Sequence, residues 1–139
     1  MSNKNKKKIL IFDAGYISHK GYYKALEQYY DVDYCLSLGK FLTLSLMSDF
    51  HYDIVIIYPY MYSGDNFKGI PDSQTGQAVY RKFFQDKKHH TKVIVWAHSI
   101  EESLEHWGDN VVQRKVIPRY SHFDFLPVVH GIMSKKKQK

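Results

Sequence analysis

Three polar side chains that could take part in chemistry each stand directly after an apolar run: Asp13, Tyr58 and His98. The runs before them are rich in isoleucine and valine, which is typical of strands buried on both faces of a parallel sheet. Chemistry in open α/β sheets gathers beyond the carboxyl ends of such strands. The three side chains are therefore predicted to share a small polar pocket. His98 is there either a ligand-binding or catalytic residue or a hydrogen-bonded structural one.

The elements that must position these residues alternate between strands and helices. Strands are predicted at 8–12, 31–36, 53–58, 92–97 and 111–117. Helices are predicted at about 17–30, 40–50, 73–88, 99–108 and 124–133, from apolar residues three and four apart and from capping residues. Strands joined by helices imply right-handed parallel crossovers. The predicted fold class is α/β, with a single five-stranded doubly wound parallel sheet in a three-layer α/β/α sandwich.

The positive charge of the chain is concentrated at its ends. The 139 residues carry a net charge of +6, and the segments 1–8 and 134–139 hold four lysines each and no acid. We expect these segments to be flexible basic tails around one domain, residues 9–133. They act as solubilising ends or touch an anionic partner. Nucleic acid is a possible partner that is not favoured, because the tyrosine-rich segment 58–62 lacks interleaved lysine or arginine.

Several classes of protein are excluded by simple features of the sequence. The single cysteine, Cys35, cannot form an internal disulfide, and a small buried residue is the default interpretation. No apolar stretch is long enough to span a membrane, and the basic start is followed by a strand pattern rather than a signal sequence. We expect a cytoplasmic protein that makes no membrane contact.

Cofactor and metal motifs are missing as well. No glycine-rich phosphate loop follows the first strand, and no two pairs of histidine or cysteine have zinc-ligand spacing. We therefore expect no cofactor and no metal.

Three stretches resemble the receiver domain of bacterial response regulators. Residues 9–13 are similar to the first strand of that family, which ends in a pair of acids. Residues 52–58 are similar to the third strand, which ends at the phosphoacceptor aspartate, and residues 115–118 to the segment where a lysine precedes a proline. The resemblance implies a receiver or flavodoxin-like fold. It also implies phosphoryl transfer to a carboxylate, assisted by magnesium on an acidic cluster.

Most residues of that chemistry are replaced in this chain. The positions that would form the receiver pocket are Asp13, Ala14, Tyr58, Ala97, Ile117 and Pro118. Asp13 and Pro118 match the family. Alanine replaces the second acid, tyrosine the phosphoacceptor, alanine the hydroxyl residue and isoleucine the lysine. The resemblance thus indicates a degenerate receiver, or pseudo-receiver, with no catalytic residue. Such a domain would signal through protein–protein contact, independently of phosphorylation.

The resemblance also suggests a partner surface, because receivers use their fourth helix, fifth strand and fifth helix for contacts. The candidate contact residues are Trp107, Arg114, Tyr120 and Phe123, and a homodimer is one form the contact could take. Two alternatives stay open. One is a ligand-binding or enzymatic flavodoxin-like domain that uses the carboxyl edge of the sheet, and the other is nucleic-acid binding through the lysine-rich tails.

Overall fold

The computed structural model contains one parallel sheet of five strands. It describes residues 6–47, 51–60, 75–84, 91–98, 111–119 and 121–134. The strands are β1 (Lys8–Phe12), β2 (Asp31–Cys35), β3 (Ile54–Ile57), β4 (Lys92–Ala97) and β5 (Val111–Val116). Their order is β2-β1-β3-β4-β5, and every neighbouring pair is parallel. This is the doubly wound order, so the predicted fold class is confirmed.

The described residues form four α-helices, of which the first two end earlier than the sequence pattern predicted. They are α1 (Tyr16–Tyr23), α2 (Leu38–Ser45), α3 (Thr75–Val79) and α4 (Leu126–Ser134). A 3-10 turn, Lys24–Gln28, continues α1, and a π-helical segment, Tyr80–Phe84, continues α3. Helix α2 begins earlier than predicted because the Ser37 hydroxyl caps it, accepting from the Lys40 N–H at 3.1 Å. In α4, Pro127 lies in the first turn, as expected.

The sheet is buried on both faces, and the alternation of its side chains builds two cores. One face packs against α2, α3 and the π-helical segment, through residues such as Leu10, Val55 and Val93. The other packs against α1 and α4, through residues such as Ile11, Ile56 and Trp96. Because successive strand residues point to opposite faces, continuous apolar strands serve both cores. Strand β5 instead alternates between half-buried and exposed residues, as predicted for a sheet edge.

Several predicted features lie outside the described residues. They include the helix at 99–108, the loop after β3 beyond Tyr60, and most of both lysine-rich tails. Lys8, assigned to the N-terminal tail, belongs to β1, and its N–H donates to the Asp53 carboxylate at 2.9 Å. Within the described ranges, the structure contains no helix long and apolar enough to cross a membrane.

Gly76 lies where α3 meets the segment that follows β3. Its N–H donates to the Pro59 carbonyl at 3.0 Å, and a Cβ here would lie 2.5 Å from the Pro59 Cα. Because that neighbour is backbone, we expect Gly76→Ala to lower the free energy of unfolding by about 1–3 kcal/mol in urea denaturation. The matched control is Gly131→Ala in α4, where no described atom outside the helix lies within 4 Å of the added Cβ. This substitution should stabilise the fold by about 0.5–1 kcal/mol. Equal effects of the two substitutions would contradict the steric argument.

Cys35 ends β2 and is 2% exposed, which confirms it as a small buried residue. Burial raises the pKa of its thiol to about 11. Because the thiolate is the reactive form, we expect almost no alkylation of the native protein by iodoacetamide at neutral pH. The same chain in concentrated urea should be modified fully. Rapid modification of the folded protein, followed by mass spectrometry, would show that the thiol is accessible.

Candidate functional site

The carboxyl ends of four strands meet at one edge of the sheet. Asp13 follows β1, Tyr58 follows β3, His98 follows β4 and Ile117 follows β5. Backbone hydrogen bonds hold these strand ends in register. The Tyr58 N–H donates to the Phe12 carbonyl at 3.1 Å. The Ile117 N–H likewise donates to the carbonyl of the last β4 residue at 2.9 Å. The predicted polar residues are therefore brought to one place.

Asp13 is completely buried beneath this edge. Its Oδ1 accepts from the Gly15 N–H at 2.7 Å, and its Oδ2 accepts from the Tyr23 hydroxyl at 2.6 Å. The same Oδ2 lies 2.8 Å from His19 Nδ1. The carboxylate is thus compensated by hydrogen bonds within the fold, as a buried charge must be.

Tyr23 connects Asp13 to the aromatic core. Its hydroxyl accepts from Trp96 Nε1 at 2.9 Å while donating to the carboxylate. Burial, reinforced by the nearby negative charge of Asp13, raises the pKa of Tyr23 well above its ordinary value. The phenol therefore stays protonated and keeps donating across the whole range in which the protein is folded.

Two histidines extend the network from Asp13 to the far side of the site. His19 Nε2 lies 3.2 Å from His98 Nε2, and His98 Nδ1 lies 2.9 Å from the Ile117 carbonyl oxygen. We call Asp13, His19, His98 and the Ile117 carbonyl the histidine relay. Both ends of the relay, a carboxylate and a carbonyl, only accept, so each imidazole donates to its end of the relay through Nδ1.

Aromatic rings fix the positions of both imidazoles. The His19 ring centroid lies 4.7 Å from those of Tyr58 and Trp96, and Trp96 lies 5.2 Å from His98. Trp96 is fully buried, and its ring also packs against Tyr22. The relay is held by packing as well as by hydrogen bonds, so its geometry is preorganised.

A cavity of about 540 Å³ opens beside the relay at the carboxyl edge. Its lining includes basic side chains, namely both relay histidines, Arg119 and His122. It also includes the aromatic side chains of Tyr22, Tyr58 and Phe123, so Tyr58 forms part of the cavity wall. Ser121 also lines the cavity, and its hydroxyl oxygen is buried without a hydrogen-bond partner among the described residues.

Of the three residues predicted to share a pocket, Tyr58 and His98 line the cavity and Asp13 is not among its lining residues. Asp13 lies beneath the cavity rather than in its wall, and it reaches His98 only through His19. His19 was not predicted. Its position three and four residues before Tyr22 and Tyr23 was the available signal, because this spacing places all three on the buried face of α1.

The other residues of the degenerate receiver pocket lie at the same edge. Ala97 and Ile117 are buried, whereas Ala14 and Pro118 are exposed. Of the predicted partner surface, Arg114 lies on the exposed side of β5, and Phe123 lies in the cavity wall, 4.9 Å from the Phe125 ring. Trp107 and Tyr120 lie outside the described residues.

The described residues at this edge do not fit the magnesium ion of receiver chemistry. That ion needs carboxylate oxygens with free lone pairs in reach of solvent. Asp13 is fully buried with both oxygens engaged, its neighbour is Ala14, and Tyr58 replaces the acceptor carboxylate.

Solved structures similar to this chain include several receiver domains. The CheY-like response regulator receiver domain from Methylobacillus flagellatus is 13% identical, with a TM-score of 0.61 over 92% of this chain and 99% of that one. The BeF3-activated DrrB receiver domain is 14% identical, with a TM-score of 0.60 over 96% of this chain and 99% of that one. The response regulator DrrB of Thermotoga maritima, an OmpR/PhoB homolog, is 13% identical, with a TM-score of 0.53 over 94% of this chain.

The chain spans about half of DrrB, 52% of its length. No protein-family model and no curated protein matches the sequence. At this level of identity the similarity establishes the fold. The chain has the fold of response-regulator receiver domains, which is the fold that residues 9–13, 52–58 and 115–118 predicted.

Proposed function

We propose that this chain is a phosphorylation-independent receiver-type domain that acts in signalling through contact with other proteins. The fold supports the signalling class. The observation that carries the rest is the state of Asp13, whose two oxygens accept from Gly15 and Tyr23 while His19 lies against one of them. An acid held in this way stabilises the fold and cannot also bind a metal ion. The replacement of the phosphoacceptor by Tyr58 removes the group that would form an acyl phosphate.

The proposal is tested by offering the protein the reagents that modify receivers. After incubation with acetyl phosphate and magnesium, the intact mass should be unchanged, and beryllofluoride with magnesium should leave the amide spectrum around Asp13 unchanged. The DrrB receiver domain, treated in parallel, is the positive control because its BeF3-activated form is known. A stoichiometric phosphoryl adduct would overturn the proposal.

A variant at the acceptor position separates the two proposed defects of the pocket, the tyrosine at position 58 and the engaged Asp13. Tyr58→Asp restores a carboxylate at the acceptor position while leaving Asp13 in its hydrogen bonds. We expect this variant also to remain unmodified, because the Asp13 carboxylate at the end of β1 stays bonded to Gly15 and Tyr23 and is not available to magnesium. Efficient phosphorylation of Tyr58→Asp would show that Tyr58 alone prevents phosphorylation of the wild-type protein.

Strand β5 is the surface that we propose for protein contact, with self-association as its simplest form. One side of this edge strand carries Val112, Arg114 and Val116, all exposed. Apolar side chains around an arginine are typical of interface centres. Sedimentation velocity should show a dimer that Arg114→Glu dissociates, since the charge is reversed in the middle of the contact. A wild-type chain that stays monomeric at high concentration would contradict the homodimer.

A further inference from the structure

We propose that the cavity beside the histidine relay binds a small organic anion, with an oxyanion such as a phosphate monoester at its basic side. This goes beyond the proposed signalling function, which concerns the protein surface and the silent acceptor site. The site is built from side chains that follow three different strands and from α1, and its volume of about 540 Å³ suits a small metabolite.

The charge of the cavity wall selects an anion. The described wall residues include Arg119 and three histidines and no carboxylate. Among the described residues, the nearby acid Asp13 is buried behind His19, and its oxygens accept from Gly15 and Tyr23. An oxyanion in the cavity therefore meets basic side chains and no described carboxylate.

The remaining wall residues indicate what accompanies the oxyanion. The Ser121 hydroxyl is buried without a partner among the described residues, although a buried hydroxyl normally has one. A ligand group that reaches this oxygen would supply the missing partner. Tyr22, Tyr58 and Phe123 in the wall offer aromatic rings against which a planar ring can stack. A mononucleotide combines these properties, so AMP is the organic probe of choice.

Arg119→Gln and Arg81→Gln form a matched pair for the test. Both arginines are exposed, but of the two only Arg119 lines the cavity. Binding is followed by amide and histidine-ring NMR shifts during titration with AMP, adenosine and sulfate. We expect AMP to bind the wild type at least about tenfold more tightly than adenosine, since adenosine lacks the anion. Arg119→Gln should weaken AMP binding about tenfold or more, and Arg81→Gln should leave it unchanged.

Sulfate is the probe for an oxyanion without a ring. It should shift the same cavity residues as AMP but bind more weakly, because it cannot stack against the aromatic side chains.

Three outcomes would overturn the proposal. They are the absence of shifts at the cavity residues with millimolar AMP, equal affinity for adenosine and AMP, and equal loss of affinity in both arginine variants. None of them bears on phosphorylation, so the proposed function is tested separately.

Discussion

Replacing Asp13 with alanine is expected to lower the free energy of unfolding by about 3–5 kcal/mol. The substitution removes the carboxylate that accepts from the Gly15 N–H and the Tyr23 hydroxyl, and it removes one of the two hydrogen-bond partners of His19. These groups are buried or nearly so, and water cannot replace the carboxylate without opening the packing around it. Because small domains are stable by only about 5–15 kcal/mol, the variant should unfold at much lower urea concentration.

Asp124→Ala is the matched control for this measurement. Asp124 is exposed, and its Oδ1 accepts from the Leu126 N–H at 2.9 Å at the start of α4. Loss of such a bond should cost about 1 kcal/mol. If the two alanine variants unfold at the same urea concentration, Asp13 does not hold the carboxyl edge of the sheet together.

Trp96→Ala is the second substitution with a large expected effect, also about 3–5 kcal/mol in urea denaturation. Trp96 is among the largest completely buried side chains, and it packs against both relay histidines. Truncation leaves a cavity in the middle of the α1 and α4 core and removes the donor to the Tyr23 hydroxyl.

Trp96→Phe distinguishes these two contributions. Phenylalanine keeps a ring in the core and removes the indole N–H, so we expect a loss of about 1–2 kcal/mol. The expected order of stability is wild type, Trp96→Phe and then Trp96→Ala. A phenylalanine variant as unstable as the alanine variant would show that the hydrogen bond to Tyr23, and not the packing, accounts for the effect.

The strands could be predicted almost to the residue. β1 and β4 begin and end where the apolar runs 8–12 and 92–97 do, because a strand buried on both faces must be apolar at every position. The last strand was correctly placed at an edge from its three interrupting polar residues. Helix ends were predicted less well. Helix α1 changes to a 3-10 turn at Lys24, and no feature of the amphipathic pattern marks that change.

The candidate site was likewise predicted only in part from the sequence. The sequence indicated Asp13, Tyr58 and His98, because each follows a strand and parallel strands bring their carboxyl ends to one edge. It did not indicate that Asp13 is fully buried beneath that edge. Tyr23 and His19, which contact its carboxylate, lie on α1, and their approach depends on how this helix packs across the sheet.

By itself the sequence determined the class of fold and the order of the strands and helices that the structure describes. These follow from residue types and from period-two and period-3.6 patterns, which are local properties of the chain. Only the tertiary structure decided which side chains surround Asp13 at the carboxyl edge of the sheet. His19 and His98 are 79 positions apart and Tyr23 and Trp96 are 73 apart, so their hydrogen bonds exist only because the parallel sheet sets α1 beside the end of β4.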